Sequence, residues 1–213
     1  MRAGIVVAVA LLTSGDTGAT CGPEHMVKVV IRNATPGLDP NSFAAQPKTF
    51  YRLGTKYGRI EEAPDREHGI HGLMVVSEPD LWMINLRSKT GQHFVDTGAP
   101  YHFHAPVLAG ADDPEFVKAF EVGCELEYVK EKSSSPPRPV TMNGRTLESY
   151  VASEGEYQLV LVIDPATQKP FAATVKKGGK IVSFIRYLEY ETELTPDLAL
   201  FTPPSALTYT EAK

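Results

Sequence analysis

Positive charge is scarce in this chain. Lys and Arg number 21 against 26 Asp and Glu, a formal net charge of -5. Without a basic surplus to neutralise phosphates, the chain does not read as a nucleic-acid binder. Docking on anionic headgroups by overall charge is excluded for the same reason. Cysteine is scarcer still, with Cys21 and Cys124 alone, so no CxxC pair offers a thiolate metal site. Hydrolase signatures are missing too. No Gly-x-Ser-x-Gly elbow occurs, no His-Glu-x-x-His helix, and no Gly-rich phosphate loop, since Lys177-Gly-Gly-Lys180 sits between strand patterns and reads as a hairpin turn. After the first residues, no apolar run approaches the ~20 residues needed to span a bilayer.

What is present is enough to fold. Hydrophobic residues make up 42% and charged residues 22% of 213, the composition of an ordered chain with a real core. Met1 and Arg2 give a short positive start, Ala3 to Leu12 is apolar, and Thr13 to Thr20 turns small and polar. This three-part layout is that of a secretory signal peptide. The expectation is export over residues 1–20, with cleavage near Ala19, Thr20 or Cys21, and one mature domain over 21–213. In an oxidising compartment Cys21 and Cys124 can pair. Cys21 is alternatively a site of lipid attachment.

Alternating patterns dominate the mature chain. Val27, Val29 and Ile31 share one face of a first strand. Thr49 to Glu61 reads as a strand with a bulge or twist at its glycines. Ile70–Val76, Leu81–Leu86 and Gln92–Val95 follow as a meander with short turns. Asp113-Pro114-Glu115 looks like a helix start carrying Phe116, Val117 and Phe120, ended by Gly123. Ser133 to Pro139 reads as a turn or exposed loop. Thr146–Ala152, Tyr157–Ile163, Pro170–Val175 and Ile181–Glu193 are further strands, and Pro196 to Phe201 fits one helical turn. The fold class is mostly β (α+β): one curved antiparallel sheet of about nine to eleven strands covering one or two helices, because open sheets of that size curl. The concave side is then a natural ligand cavity.

Three segments resemble a known family. Leu159-Val-Leu-Val-Ile-Asp-Pro-Ala-Thr-Gln-Lys-Pro170 is a strand, an Asp-Pro turn and a Pro opening the next strand. Ile181-Val-Ser-Phe-Ile-Arg-Tyr-Leu-Glu-Tyr190 and Asp197-Leu-Ala-Leu-Phe-Thr-Pro-Pro204 complete the pattern. The chain's end is similar to the LolA-like and LolB-like envelope lipoprotein carriers and their exported relatives. The order of elements is compatible from Thr49 to Tyr209. The resemblance implies a half-barrel around a helix and an apolar cavity, in a protein of the periplasm or outer-membrane surface. It does not imply the same cargo: the expected partner is a lipid, a lipoprotein acyl chain or another apolar ligand, and the lack of a later long apolar run predicts no transmembrane span after signal cleavage. It transfers no individual binding residues, and the histidines from His68 to His104 are foreign to it.

Candidate site residues follow from chemistry. Trp82, Phe94, Phe116, Phe120 and Phe184 are candidates to line an apolar cavity. His102 and His104 alternate and share a face if extended. With His93 and Asp96 they offer the nitrogen and oxygen ligands that zinc accepts, and His68 and His71 could add to them. A divalent metal is the alternative to an apolar ligand; no other cofactor is expected. Asp96-Thr97-Gly98 has the core of an aspartic-protease motif, but its lead-in residues His93 and Phe94 do not suit one. No catalytic residue is assigned, and holding or carrying is favoured over catalysis.

Overall fold

The computed structural model describes residues 21–98, 101–105 and 115–211. The expected signal peptide, Pro106 to Asp112 and the Asp113-Pro114 helix start lie outside the described residues. Twelve strands form one sheet. In chain order they are β1 (Met26–Asn33), β2 (Lys48–Leu53), β3 (Tyr57–Glu62), β4 (Gly72–Ser77), β5 (Asp80–Asn85) and β6 (Thr90–Val95). Helices α1 (Glu115–Lys118) and α2 (Glu125–Lys132) follow. The second half holds β7 (Arg138–Met142), β8 (Arg145–Glu154), β9 (Tyr157–Ile163), β10 (Pro170–Lys177), β11 (Lys180–Leu194) and β12 (Thr208–Glu211).

The strand order is β12-β6-β5-β4-β3-β2-β1-β11-β10-β9-β8-β7. Two meanders, β2 to β6 and β7 to β11, are stitched together by β1, which pairs with β2 on one side and β11 on the other. Every pairing is antiparallel except β12 on β6. The sheet is curved and does not close, the half-barrel expected from the strand count.

Three strands exceed the count legible in the sequence. The Thr49–Glu61 pattern is a hairpin, not one bulged strand, because the chain turns between Leu53 and Tyr57. β7 occupies the end of the segment expected to be loop. Asn143 and Gly144 both take positive φ, 51° and 72°, and so make the tight turn that pairs β7 with β8. β12 lies beyond Pro203 and Pro204.

The helices also differ from expectation. α1 is a single turn, because the backbone after it is used elsewhere. Phe120 accepts from the Ala105 amide and the Val122 amide donates to Phe103, both at 2.8 Å. The longer helix is α2, beyond Gly123. Glu125 and Glu127 fall in its first turn and Lys130 and Lys132 in its last, which suits the helix dipole. Leu126 and Val129 are buried against the sheet.

One face of the sheet, the inner face, carries the main core. Val29 and Ile31 of β1, Leu159 and Leu161 of β9, Ala173 and Val175 of β10 and Ile185 of β11 pack there with Phe116, Val117, Phe120, Leu126 and Val129. The outer face has two smaller clusters. Leu73, Val75 and Ile84 are covered by Leu207 and Tyr209. Nearby the turn Leu198–Phe201 is tied down by Phe201 against Tyr57 (centroids 5.5 Å apart) and by Arg59 Nη1 donating to the Leu200 carbonyl at 3.0 Å. Leu147, Val162 and Ala172 form the other outer cluster.

Candidate ligand-binding groove

Strand alternation and register put ten residues of five strands on the inner face, away from α2. Glu62 is followed across the sheet by Gly72, Asn85, Thr90 and Thr208. One step along lie Ile60, Met74, Met83, Gln92 and Thr210. These residues, with Ile70 at the strand ends, line a groove of about 710 Å³. Ile60, Ile70, Met74 and Met83 make its apolar part, and Met83 is 54% exposed. Thr90, Gln92, Thr208, Thr210 and Asn85 make a neutral polar part. Glu62 is held by Lys48 in an ion pair.

A strap, Tyr101–Ala105, crosses the same face beside the groove. The Tyr101 amide donates to Glu78 Oε1 at 2.6 Å and its hydroxyl donates to Met74 Sδ at 3.7 Å. Phe103 lies directly on Gly58, where any Cβ would collide with its ring. Glycine at 58 is therefore a condition for the strap's position.

Beneath the strap is a buried ionic cluster. Arg52 is 1% exposed and Glu121 4%. Arg52 Nη2 lies 2.6 Å from Glu121 Oε2, Nη1 donates to the Val122 carbonyl at 2.9 Å, and Nε donates to the Gly54 carbonyl at 3.1 Å. It also bonds the Cys21 carbonyl. Burial pulls the Arg52 guanidinium below its ordinary value, opposed by Glu121. A second carboxylate, Glu125, is fully buried and accepts from the Gly123 amide at 2.9 Å and the Tyr190 hydroxyl at 2.6 Å. Burial pushes its pKa up to about 7. Burial, followed by the Glu125 charge, raises Tyr187 and Tyr190 well above their usual range. A Cys21–Cys124 disulfide closes the cluster on the α2 side.

The aromatic residues selected from the sequence are dispersed, and none lines the groove. Trp82 is on the outer face, stacked on His93 at 5.0 Å. Phe94 is half-buried on β6, opposite Leu81. Phe116 and Phe120 belong to the main core, and Phe184 to the outer cluster around Leu147. The metal candidates are separated as well. His93 places each ring nitrogen against a different carboxylate, Nε2 on Asp80 at 2.7 Å and Nδ1 on Glu211 at 2.9 Å. Asp96 accepts from the Gly98 amide at 2.8 Å. His102 Nδ1 sits 2.7 Å from Glu121 Oε1, with the His104 ring stacked at 5.7 Å. Among the described residues no three His, Cys, Asp or Glu side chains gather where one ion could be held.

The sequence reading missed the groove residues. The sequence carried little signal for them: β4 is apolar on both faces, and only the folded sheet leaves Met74 and Met83 less buried than Leu73, Val75 and Ile84. The Arg52–Glu121 pair had no local signal.

No family model matches the chain. No curated protein matches it either. Solved structures do. An uncharacterized conserved protein from Thermus thermophilus aligns over 89% of this chain and 91% of its own, at 11% identity and a TM-score of 0.50. That likeness is one of fold. The Pseudomonas aeruginosa MucA/MucB complex aligns over 86% of this chain and 57% of its own, at 10% identity and a TM-score of 0.43. PNGF-II aligns over 88% and 32%, at 9% identity and a TM-score of 0.36.

Proposed function

We propose that this chain is an exported envelope protein of LolA-like type that binds an apolar ligand, a lipid or lipoprotein acyl chain, in the inner-face groove. The observation that carries this reading is the groove itself. Its volume suits a small ligand, its floor is Ile60, Ile70, Met74 and Met83, and its polar side is mostly uncharged. An acyl chain on the apolar side would leave a polar head among the threonines. Export rests on the amino-terminal pattern. Among the described residues no helix is long and apolar enough to cross a membrane.

The test is binding of cis-parinaric acid, followed by its fluorescence. Wild type should bind it and Met83→Asp should weaken binding at least tenfold. Because Met83 is exposed, that variant keeps its core. A wild type that does not bind, or an unaffected variant, removes the groove reading.

A further inference from the structure

The outer face holds a second cavity with different chemistry. Its floor is the pairing of β1 with β11. There Arg32 lies directly opposite Arg186, and like charges opposite one another in a sheet repel. Arg52, Arg59 and Arg145 each sit against a carboxylate. Among the described residues Arg32 and Arg186 do not. Glu189, on the same strand, is taken by Lys28 at 2.5 Å. Arg186 is stacked over the Phe171 ring at 4.3 Å, and its Nε is buried without an acceptor.

The wall is prebuilt. Arg32 donates from Nε to the Ala45 carbonyl and from Nη2 to the Pro40 carbonyl, both at 3.2 Å, and so fixes the loop after β1. Asn33 Oδ1 accepts from the Thr35 amide and hydroxyl at 3.0 and 2.7 Å, and the Thr35 hydroxyl oxygen accepts from the Phe184 amide at 2.9 Å. The space enclosed is about 560 Å³. Among the described residues no acidic side chain lines it, and beside the arginines and the Asn33–Thr35 turn it is lined by Pro36, Leu38, Pro40 and Leu188.

We infer that this cavity is an oxyanion site, taking a phosphate or carboxylate group carried on a small organic body. The unneutralised arginine pair supplies the charge, and a guanidinium fork matches two oxygens at once. The prolines and leucines would cover the organic part. The site is on the opposite face of the sheet from the groove and does not depend on it.

Two sources share this chemistry, a free phosphate and a lipid headgroup, and the test separates them. The full mature chain is titrated with inorganic phosphate by calorimetry against a chloride blank. In parallel it is floated with phosphatidylcholine vesicles with and without phosphatidic acid. Each arm is repeated with Arg186→Gln, with Leu188→Asp, which sets a carboxylate in the cavity from an exposed position, and with Lys180→Gln, which removes one distant exposed charge. The expected result is binding in at least one arm, weakened about tenfold or more by Arg186→Gln and Leu188→Asp and unchanged by Lys180→Gln. Phosphate binding marks a soluble ligand, and binding to acidic vesicles alone marks a headgroup. If Arg186→Gln fails to fold, Leu188→Asp decides alone. Wild type that binds neither probe, or losses equal to that of Lys180→Gln, overturns the assignment.

Discussion

Tyr190 donates a hydrogen bond to a fully buried Glu125 across 2.6 Å, joining β11 to the first turn of α2. Among the described residues the one buried cation near Glu125 is Arg52, and Glu121 already claims it. An ionised Glu125 would leave the cluster with excess negative charge in a dry interior. Burial disfavours the ionised form and raises its pKa to about 7, against the opposing hydrogen bonds from Tyr190 and the Gly123 amide.

The pH dependence of stability follows. The folded state holds this proton more tightly than the unfolded chain, whose value is near 4.5. The contribution is full below that value and is lost as pH rises through about 7, in all about 3 kcal/mol. Denaturant titrations from pH 5 to 8 should show wild type weakening up to about pH 7 and levelling off above it. Glu125→Gln, neutral at every pH and able to accept from Tyr190, should flatten most of that slope.

His93 provides a second, independent pH effect at the sheet edge. Hydrogen bonding to Glu211, then to Asp80, raises its pKa. The bridge that ties β12 to β5 and β6 is therefore strongest in acid and loosens as pH rises above the ordinary histidine range. Amide hydrogen exchange at Thr208–Glu211 should quicken on going from pH 6 to 8, after correction for intrinsic rates. In His93→Gln it should be fast at both.

Removing Arg52 alone should be severe. Arg52→Met leaves Glu121 buried beside His102 with no guanidinium, a change costing about 3–5 kcal/mol. Adding Glu121→Gln should recover more than half, since the orphaned charge is then gone. Urea unfolding of the two single variants and the double variant measures this coupling. Equal stability of Arg52→Met and the double variant would contradict it.

The Cys21–Cys124 disulfide spans 103 residues of sequence. Closing so long a loop in the unfolded chain is worth about 4–5 kcal/mol in the chain-entropy treatment. Cys124→Ser, or wild type with reductant, should unfold at clearly lower urea. It should also free the Cys21 carbonyl from Arg52, so the losses from Cys124→Ser and Arg52→Met should not add.

Local chemistry alone settled most of the strands. Tyr157–Ile163 coincides with β9, Pro170 and Ile181 fall in the strands their patterns place them in, and the helical turn expected over Pro196–Phe201 forms at Leu198–Phe201, because alternation and turn residues act over a few positions. The expectation of one open curved sheet follows from strand number. What the sequence could not convey were decisions between distant segments. The amides and carbonyls of Phe103, Ala105, Phe120 and Val122 pair with one another, and this shortens α1 despite its Asp113-Pro114 start signal. Arg52 and Glu121 look like surface residues in isolation and become a buried pair once β2 meets the strap. Register alone decides that Met74 and Met83 face the groove while Trp82 faces outward beside His93. Burial and charge neutralisation depend on what lies opposite, and only the folded sheet supplies that.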